Sequence, residues 1–192
     1  MKTSTREKII EAAIALINKY GFNYTGISRI LKEIQVPKGS FYHYFESKEA
    51  LGDAVIEKAS QDHFQKLDEY FNNARGTPLN KIKAFFQYAV DQYDIKADHG
   101  CILGNLGQEL AQQHPGYRQR LAQVFSDTEQ YFARLFEEAK SNGELPKKVD
   151  SLKLGEFVFT SWEGAILSAK VKKSKRSLEN FLQVIFDITM KP

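Results

Sequence analysis

The segment Pro37-Lys38-Gly39-Ser40-Phe41-Tyr42-His43-Tyr44-Phe45 is short, aromatic and basic, and the rest of the chain is best explained as its carrier. Pro37 suits a first helical turn, where its missing N–H would have no partner. Phe41 and Phe45 are four residues apart, so we expect them to share an inward face of one helix. Tyr42 and His43 carry polar ring tips on the other side. One buried face and one polar contact face are expected of a recognition helix.

The beginning of this helix offers three groups that suit a phosphate. Lys38 supplies a cation, Gly39 allows a close backbone approach, and Ser40 supplies a hydroxyl. A helix N-terminus attracts anions because its first N–H groups lack acceptors and the helix dipole is positive there. The segment therefore predicts contact with a polyanion.

Composition favours a globular, all-helical protein. The chain has 192 residues, of which 42% are hydrophobic and 14 are Phe, enough for a packed core. Only five prolines occur, and they leave long stretches without helix breakers. The charge is uneven: residues 1–48 contain eight Lys and Arg against four Asp and Glu, whereas the remainder contains 19 against 20. This asymmetry suits a basic head on a near-neutral body.

Targeting and redox signals point to the cytoplasm. No apolar run approaches the ~20 residues of a membrane span, and the polar N-terminus does not resemble a signal peptide. Cys101 is the only cysteine, which excludes an internal disulfide and fits a reducing compartment.

Helical periodicity and punctuation predict about nine helices. Residues 4–20 open with the capping-box pattern Ser4-x-x-Glu7 and end before Gly21, and Thr25 is predicted as the N-cap of a second helix. With the helix at 37–45, three helices fall within 45 residues, which is a helix-turn-helix pattern. A long helix from about 48 to 71 follows. The remaining helices are expected at about 79–97, 100–113, 115–142, 150–170 and 177–190.

We therefore predict two domains: a three-helix DNA-binding head over 1–47 and a helical dimerisation bundle over 48–192. The last two helices carry more apolar residues than one small body needs, and the helix at 150–170 should be buried on several sides. A symmetric partner would cover this surplus in a four-helix interface. A single deeper core is the alternative, but one head alone reads too few bases to be selective.

The head resembles the TetR family of one-component repressors. The resemblance covers about residues 4–55 and is carried by Thr25 and Ile30, then by Val36-Pro37-Lys38-Gly39-Ser40-Phe41-Tyr42-His43-Tyr44-Phe45, Ser47-Lys48-Glu49 and Leu51. It implies a homodimer whose helical body binds a small molecule, which lowers affinity for a palindromic DNA operator. One departure is Gln35, where the family usually has Gly because the turn can demand a positive φ.

The resemblance also implies roles for individual residues in DNA binding. Phosphate contacts are expected from Thr25, His43 and Lys48. Contacts to phosphate or base edges are expected from Ser28, Lys38, Gly39, Ser40 and Tyr42. For Tyr44 we expect packing against the head itself.

The stretch from His99 to Leu110 is the most unusual part of the body and is similar to one in a TetR branch that includes regulators of the NemR and AcuR type. That branch responds to reactive electrophiles or small unsaturated acids. Cys101 follows Gly100 at an expected helix start, so it is either a reactive sensor thiol or a small buried hydrophobe. A non-covalent effector is the other possibility. The candidate ligand-binding residues are Phe86, Tyr93, Cys101, Asn105, Phe125 and Trp162, although the same aromatics would also make an ordinary core.

Other chemistry has little support in the sequence. The four histidines show no metal-ligand spacing, and we find no phosphate-cradling glycine loop and no nucleophile motif. Glu109 and Glu163 could be imagined as a catalytic pair, but structural roles are the commoner use. We therefore predict no catalytic residue, no metal, no cofactor and no enzyme activity. The competing hypothesis is a helical small-molecule-binding protein or enzyme with a non-specific basic head.

Overall fold

The computed structural model describes residues 4–97 and 99–190, apart from the side chains of Ile188 and Thr189. Within these residues there are nine α-helices, one π-helical segment and no β-strand, which confirms the all-α prediction. The elements are α1 Thr5–Tyr20, α2 Ile27–Glu33, α3 Lys38–Tyr44, α4 Lys48–Asn73, α5 Pro78–Gln92, α6 Ile102–Leu110, α7 Pro115–Ser141, α8 Ser151–Lys172, α9 Arg176–Leu182 and the π-helical segment Gln183–Thr189. No helix in this part of the chain is long and apolar enough to cross a membrane.

The chain forms two compact units. The first contains the residues up to His63 together with Cys101–Ala122, and the second contains Phe64–Gly100 together with the residues from Gln123 onward. Helices α4 and α7 each contribute to both units. The domain boundary predicted between residues 47 and 48 stays a prediction.

Helix α1 has the ends that its sequence predicts. The Ser4 hydroxyl accepts from the Glu7 N–H at 3.2 Å, and the Glu7 carboxylate accepts from the Ser4 N–H at 2.7 Å. This capping box satisfies two N–H groups that have no acceptor within the helix. The helix ends at Gly21, whose φ of 86° is a conformation that residues with a Cβ rarely adopt.

Thr25 does not cap α2, contrary to the prediction. The N-cap is Gly26, and the fully buried Thr25 hydroxyl donates to the Gly21 carbonyl at 2.7 Å. The hydroxyl thereby closes the loop between α1 and α2 instead of accepting from the first turn of α2. A similar shift applies to Pro37, which is the N-cap of α3 and lies just before its first turn.

The turn between α2 and α3 needs a left-handed residue, and Gln35 supplies it with a φ of 54°. The Val36 N–H donates back to the Leu31 carbonyl at 3.0 Å, which closes the turn. Beyond it, Phe41 and Phe45 are both buried, with ring centroids 5.5 Å apart. The predicted inward face of α3 is confirmed, and it anchors α3 to the core of the first unit.

The second unit is built around Phe86 of α5, which is fully buried. Its ring stacks on Phe132 at 5.3 Å and contacts Trp162 and Phe181, each at 5.0 Å. Helix α8 packs closely on α7 at Gly155, where an added Cβ would lie only 2.5 Å from the Glu129 carbonyl oxygen. Aromatic packing and this small-residue contact hold the unit together.

Several predicted helix bounds were wrong. Helix α5 ends at Gln92 instead of continuing to about residue 97, and α6 is shorter than predicted. The last predicted helix is α-helical only to Leu182 and then widens to a π-helix. Helix α8 is not buried on all its apolar sides within this chain, since Phe157, Leu167 and Val171 are exposed.

The positive φ at Gln35 generates a stability prediction. A non-glycine residue in this region carries about 1 kcal/mol or more of strain, whereas glycine costs a little more unfolded-chain entropy. We expect Gln35→Gly to raise the free energy of unfolding by about 0.5–1 kcal/mol, measured by urea denaturation with an unchanged m-value.

Lys173 provides a matched test, because it ends α8 with a φ of 49°. Lys173→Gly should stabilise the protein by a similar amount, whereas Gln35→Val should destabilise it, since a β-branched residue tolerates positive φ poorly. A loss of stability in both glycine variants would contradict the strain argument.

Candidate nucleic-acid interface and candidate effector residues

Helix α3 presents the predicted contact residues on its outer side. Lys38, Gly39, Tyr42 and His43 are exposed, and Ser40 is half-buried. The Tyr42 side chain is 55% exposed, and its ring meets the buried Phe41 edge-on at 5.3 Å, so packing limits where the ring can point. The buried face of α3 thus orients the exposed one.

Two further residues predicted in this region, Ser28 and Tyr44, differ in their surroundings. Ser28 lies exposed on α2 and is available for contact. Tyr44 is 38% exposed and meets the adjacent, exposed His43 edge-on at 4.8 Å, so packing of Tyr44 against the head stays a prediction.

The structure contradicts a phosphate contact by the Thr25 side chain. Thr25 has no exposed surface, and its hydroxyl donates into the α1–α2 loop. A side chain in that position has no access to DNA. The motif position therefore serves loop geometry in this chain.

Lys48, the first residue of α4, is turned toward the α1–α2 loop. Its ammonium donates to the Asn23 carbonyl at 3.4 Å and lies 4.5 Å from the centroid of the Phe22 ring. Burial lowers the pKa of the Lys48 ammonium, while the carboxylates of Glu109 and Glu49 oppose that effect. The structure thus shows an internal role, and a phosphate contact by Lys48 stays a prediction.

Two exposed residues near the interface were not singled out from the sequence. Tyr24 is 86% exposed in the loop before α2. The Arg29 guanidinium of α2 lies 3.7 Å from the centroid of the Tyr20 ring, an arrangement that holds its charge in one place. The sequence did contain a signal for Tyr24: in the loop Asn23-Tyr24-Thr25-Gly26 this aromatic residue lies outside the apolar stripes of both neighbouring helices, which favours exposure.

Helix α6 carries two of the candidate effector residues. Cys101 is its N-cap, and the Sγ accepts from the Gly104 N–H at 3.5 Å. Asn105 donates to the Asn18 side chain of α1 at 2.7 Å. The Asn105 amide therefore links two helices of the first unit.

The four aromatic candidates lie in the second unit and are engaged in packing. Phe86 and Tyr93 belong to the core cluster of that unit, the partly buried Trp162 packs against it, and the Phe125 ring meets Phe159 edge-on at 5.2 Å. The arrangement has the geometry of an ordinary aromatic core. Assignment of these residues to an effector site stays a prediction.

A groove of about 850 Å³ opens elsewhere in the second unit. It contains none of the six candidate effector residues. Its lining is mixed in charge and comes from α4, α7 and the beginning of α8: Phe64, Asp127, Gln130, Ala133, Arg134, Glu137, Ser151 and Leu152. Within the described residues, no group of three His, Cys, Asp or Glu side chains is placed to hold a metal ion.

Glu109 has a structural role at the head. Its carboxylate accepts from the Phe22 and Asn23 N–H groups at 2.8 and 2.7 Å. Both carboxylate oxygens of Glu109 therefore accept from backbone N–H groups of the α1–α2 loop. This arrangement does not support a catalytic pairing of Glu109 with Glu163.

Comparison with known proteins places this architecture in a family. Residues 9–55 match the N-terminal domain described as bacterial regulatory proteins of the tetR family, and residues 78–185 match the tetracyclin repressor-like C-terminal domain. The regulator AcuR of Cereibacter sphaeroides is 35% identical over 91% of this chain and 80% of its own. The repressor NemR of Escherichia coli is 31% identical over 98% of this chain and 95% of its own.

Solved structures agree with these sequence relatives. Reduced E. coli NemR superposes with a TM-score of 0.88 at 30% identity, covering 96% of each chain. The regulatory protein TetR from Rhodobacter sphaeroides superposes with a TM-score of 0.87 at 33% identity, covering 95% of this chain and 97% of its own. These relatives are named as regulators and not as enzymes. Both domain matches and the near-full-length relatives show that this chain belongs to the TetR family and is a transcriptional regulator.

Proposed function

We propose that this protein is a ligand-responsive repressor that binds a palindromic operator as a homodimer and is released by a small molecule. The observation that carries the proposal is α3, with Lys38, Tyr42 and His43 exposed above the buried Phe41 and Phe45. A basic helix held rigidly by its own apolar face can enter a major groove in one orientation. Such a regulator acts on DNA in the bacterial cytoplasm.

Within this proposal, some contacts position the protein on the DNA backbone and others recognise the bases. Phosphates are assigned to Lys48, His43 and the beginning of α3, and bases to the outer face of α3 and to Ser28. Tyr42 can offer its ring to a thymine methyl or its hydroxyl to phosphate. The exposed Tyr24 is added as a phosphate contact. The set is Tyr24, Ser28, Lys38, Gly39, Ser40, Tyr42 and His43 within a DNA-binding domain over 1–47, together with Lys48 at the beginning of α4.

The homodimer is supported by an apolar stripe on α8. Phe157, Gly164, Leu167 and Val171 follow one another at intervals of seven, three and four residues, so they share one helix face. All four are exposed, Val171 to 72%, and nothing lies within 4 Å of a Cβ built at Gly164. A symmetric second copy would bury this stripe, and the glycine permits a close helix approach. The ligand-binding and dimerisation domain is assigned to 48–192.

An effector that reacts with Cys101 is supported by the geometry at the beginning of α6. A thiol that accepts an N–H bond at a helix N-terminus is stabilised as the thiolate, which is the nucleophilic form. Cys101 has this bond from Gly104 and is partly exposed. A reactive electrophile is therefore the proposed effector class.

Selection from random duplex pools at near-physiological salt tests the function. We expect a palindrome with half-sites about one helical turn (~34 Å) or a multiple apart, because a two-fold dimer presents two copies of α3. Recovery of weak, salt-sensitive binding without any motif would contradict the repressor and favour a non-specific basic head.

A substitution in the α8 stripe tests whether operator binding requires the dimer. Leu167→Glu places a charge in the α8 stripe and should yield a monomer by sedimentation, with loss of the palindromic site and retention of weak non-specific binding. Lys172→Glu alters the charge on an exposed residue of the same helix that lies off the stripe, and it should remain dimeric.

Substitution of Tyr42 should distinguish base recognition from electrostatic attraction to the DNA backbone. Tyr42→Ala should reduce operator affinity by about ten- to a hundredfold, the cost of one base contact, while non-specific affinity changes little. Lys38→Ala should weaken binding to all sequences and reduce the salt slope by about one. Equal loss of operator and non-specific affinity in Tyr42→Ala would contradict a reading role.

Cys101 can be tested with N-ethylmaleimide, since the chain has no other thiol. We expect one adduct by mass spectrometry and release of the operator by the wild-type protein. Cys101→Ser, which keeps an acceptor for the Gly104 N–H, should bind the operator normally and resist release. An adduct that leaves operator affinity unchanged would contradict the sensor.

A further inference from the structure

The loop between α1 and α2 is held by a carboxylate that is distant in sequence. Glu109 of α6 accepts from the Phe22 N–H through one oxygen and from the Asn23 N–H through the other, at 2.8 and 2.7 Å. These two donors follow the end of α1. Because the carboxylate binds both of them, it constrains the direction of the loop as well as its distance from α6.

Steric fit reinforces this contact. The preceding Gly21 has a φ of 86°, and a Cβ added there would lie 2.9 Å from a Glu109 carboxylate oxygen. The loop therefore approaches α6 at a point where only glycine fits. Both the left-handed backbone and the close approach depend on this residue.

The same loop is held from other directions. The Lys48 ammonium donates to the Asn23 carbonyl, and the Asn23 side chain donates to the Gln113 side chain at 3.4 Å. The Phe22 ring is buried and meets the Tyr117 ring edge-on at 5.8 Å. Tyr117 in turn donates to the Glu49 carbonyl at 2.6 Å. We call Glu109 and the loop residues 21–23 the loop clamp.

The loop clamp bears directly on the DNA-binding helices. Only Tyr24 and Thr25 separate it from Gly26, the N-cap of α2, and the Thr25 hydroxyl ties this connection back to the Gly21 carbonyl. The start of α2 therefore follows any displacement of the loop. Helix α3 follows α2 through the closed turn at Gln35 and Val36.

We propose that Glu109 is a positioning residue for DNA binding, whose carboxylate holds the α1–α2 loop and thereby sets the placement of α2 and α3 that selective operator binding requires. The proposal rests on the proposed function, because it assumes an operator. It assigns a role in DNA affinity to a residue outside the helix-turn-helix segment.

The test is Glu109→Gln, which keeps the shape of the side chain but turns an NH₂ group toward one of the two N–H donors. With one hydrogen bond lost and the other no longer charge-assisted, we expect operator affinity to fall about tenfold. Non-specific affinity and the salt slope should not fall, since no phosphate contact is removed.

Glu11→Gln is the matched control, because Glu11 is an exposed residue of α1 in the same compact unit. Both variants remove one negative charge, which by itself favours binding to a polyanion. A drop in operator affinity that occurs only in Glu109→Gln therefore reports position and not charge. Equal affinity in the two variants, or a parallel loss of specific and non-specific binding, would overturn the proposal.

Amide hydrogen exchange gives a second readout that is independent of DNA. The Phe22 and Asn23 amides should exchange at least about tenfold faster in Glu109→Gln, while the core amides of Phe41 and Phe86 keep their protection. Unchanged exchange at the two loop amides would overturn the loop clamp itself. If the wild-type protein selects no operator, the proposed function fails, and the exchange rates alone then decide whether Glu109 positions the loop.

Discussion

The reversal of the chain between α2 and α3 constrains most of the first unit. Three residues separate the last helical position of α2 from the N-cap of α3, so one of them has to turn the backbone, and Gln35 does so at a φ of 54°. The strain is tolerated because Phe41 and Phe45 are buried on the far side of the turn. Burial of two aromatic side chains contributes several times the cost of one left-handed residue. The exposed face of α3 is a consequence of that burial.

The parts of this fold that local chemistry dictates could be predicted from the sequence. The capping box of α1, the stop at Gly21 and the inward pair on α3 depend on residues within one or two turns of each other, and all three are confirmed. Thr25 shows the limit. A threonine before an apolar run favours an N-cap, but here Gly26 occupies the N-cap position and the Thr25 hydroxyl donates to the Gly21 carbonyl. Which partner wins depends on how the loop folds back, and spacing does not encode that.

Contacts between segments that are distant in sequence were harder to predict. The role of Glu109 requires that α6 lies against a loop more than 80 positions earlier, and no periodicity predicts that contact. The aromatic candidates show a different ambiguity. A ring at helical spacing suits both a closed core and an effector site, and Phe86 packs against five other rings.

Charge and packing act on different steps of DNA binding in this protein. The excess of basic residues in the first quarter of the sequence provides attraction that any duplex satisfies. In the proposed function, selectivity requires that the side chains of α3 meet base edges at fixed positions, and a shift of about an ångström is enough to break a hydrogen bond. The Lys48 ammonium illustrates the division, because it is a cation of the basic head and yet it is engaged with the Asn23 carbonyl. Together with Glu109 it holds the loop that leads into α2. Glu109, whose carboxylate repels phosphate, is thus proposed to control whether non-specific attraction becomes selective recognition, because it fixes the loop and not the charge of the head.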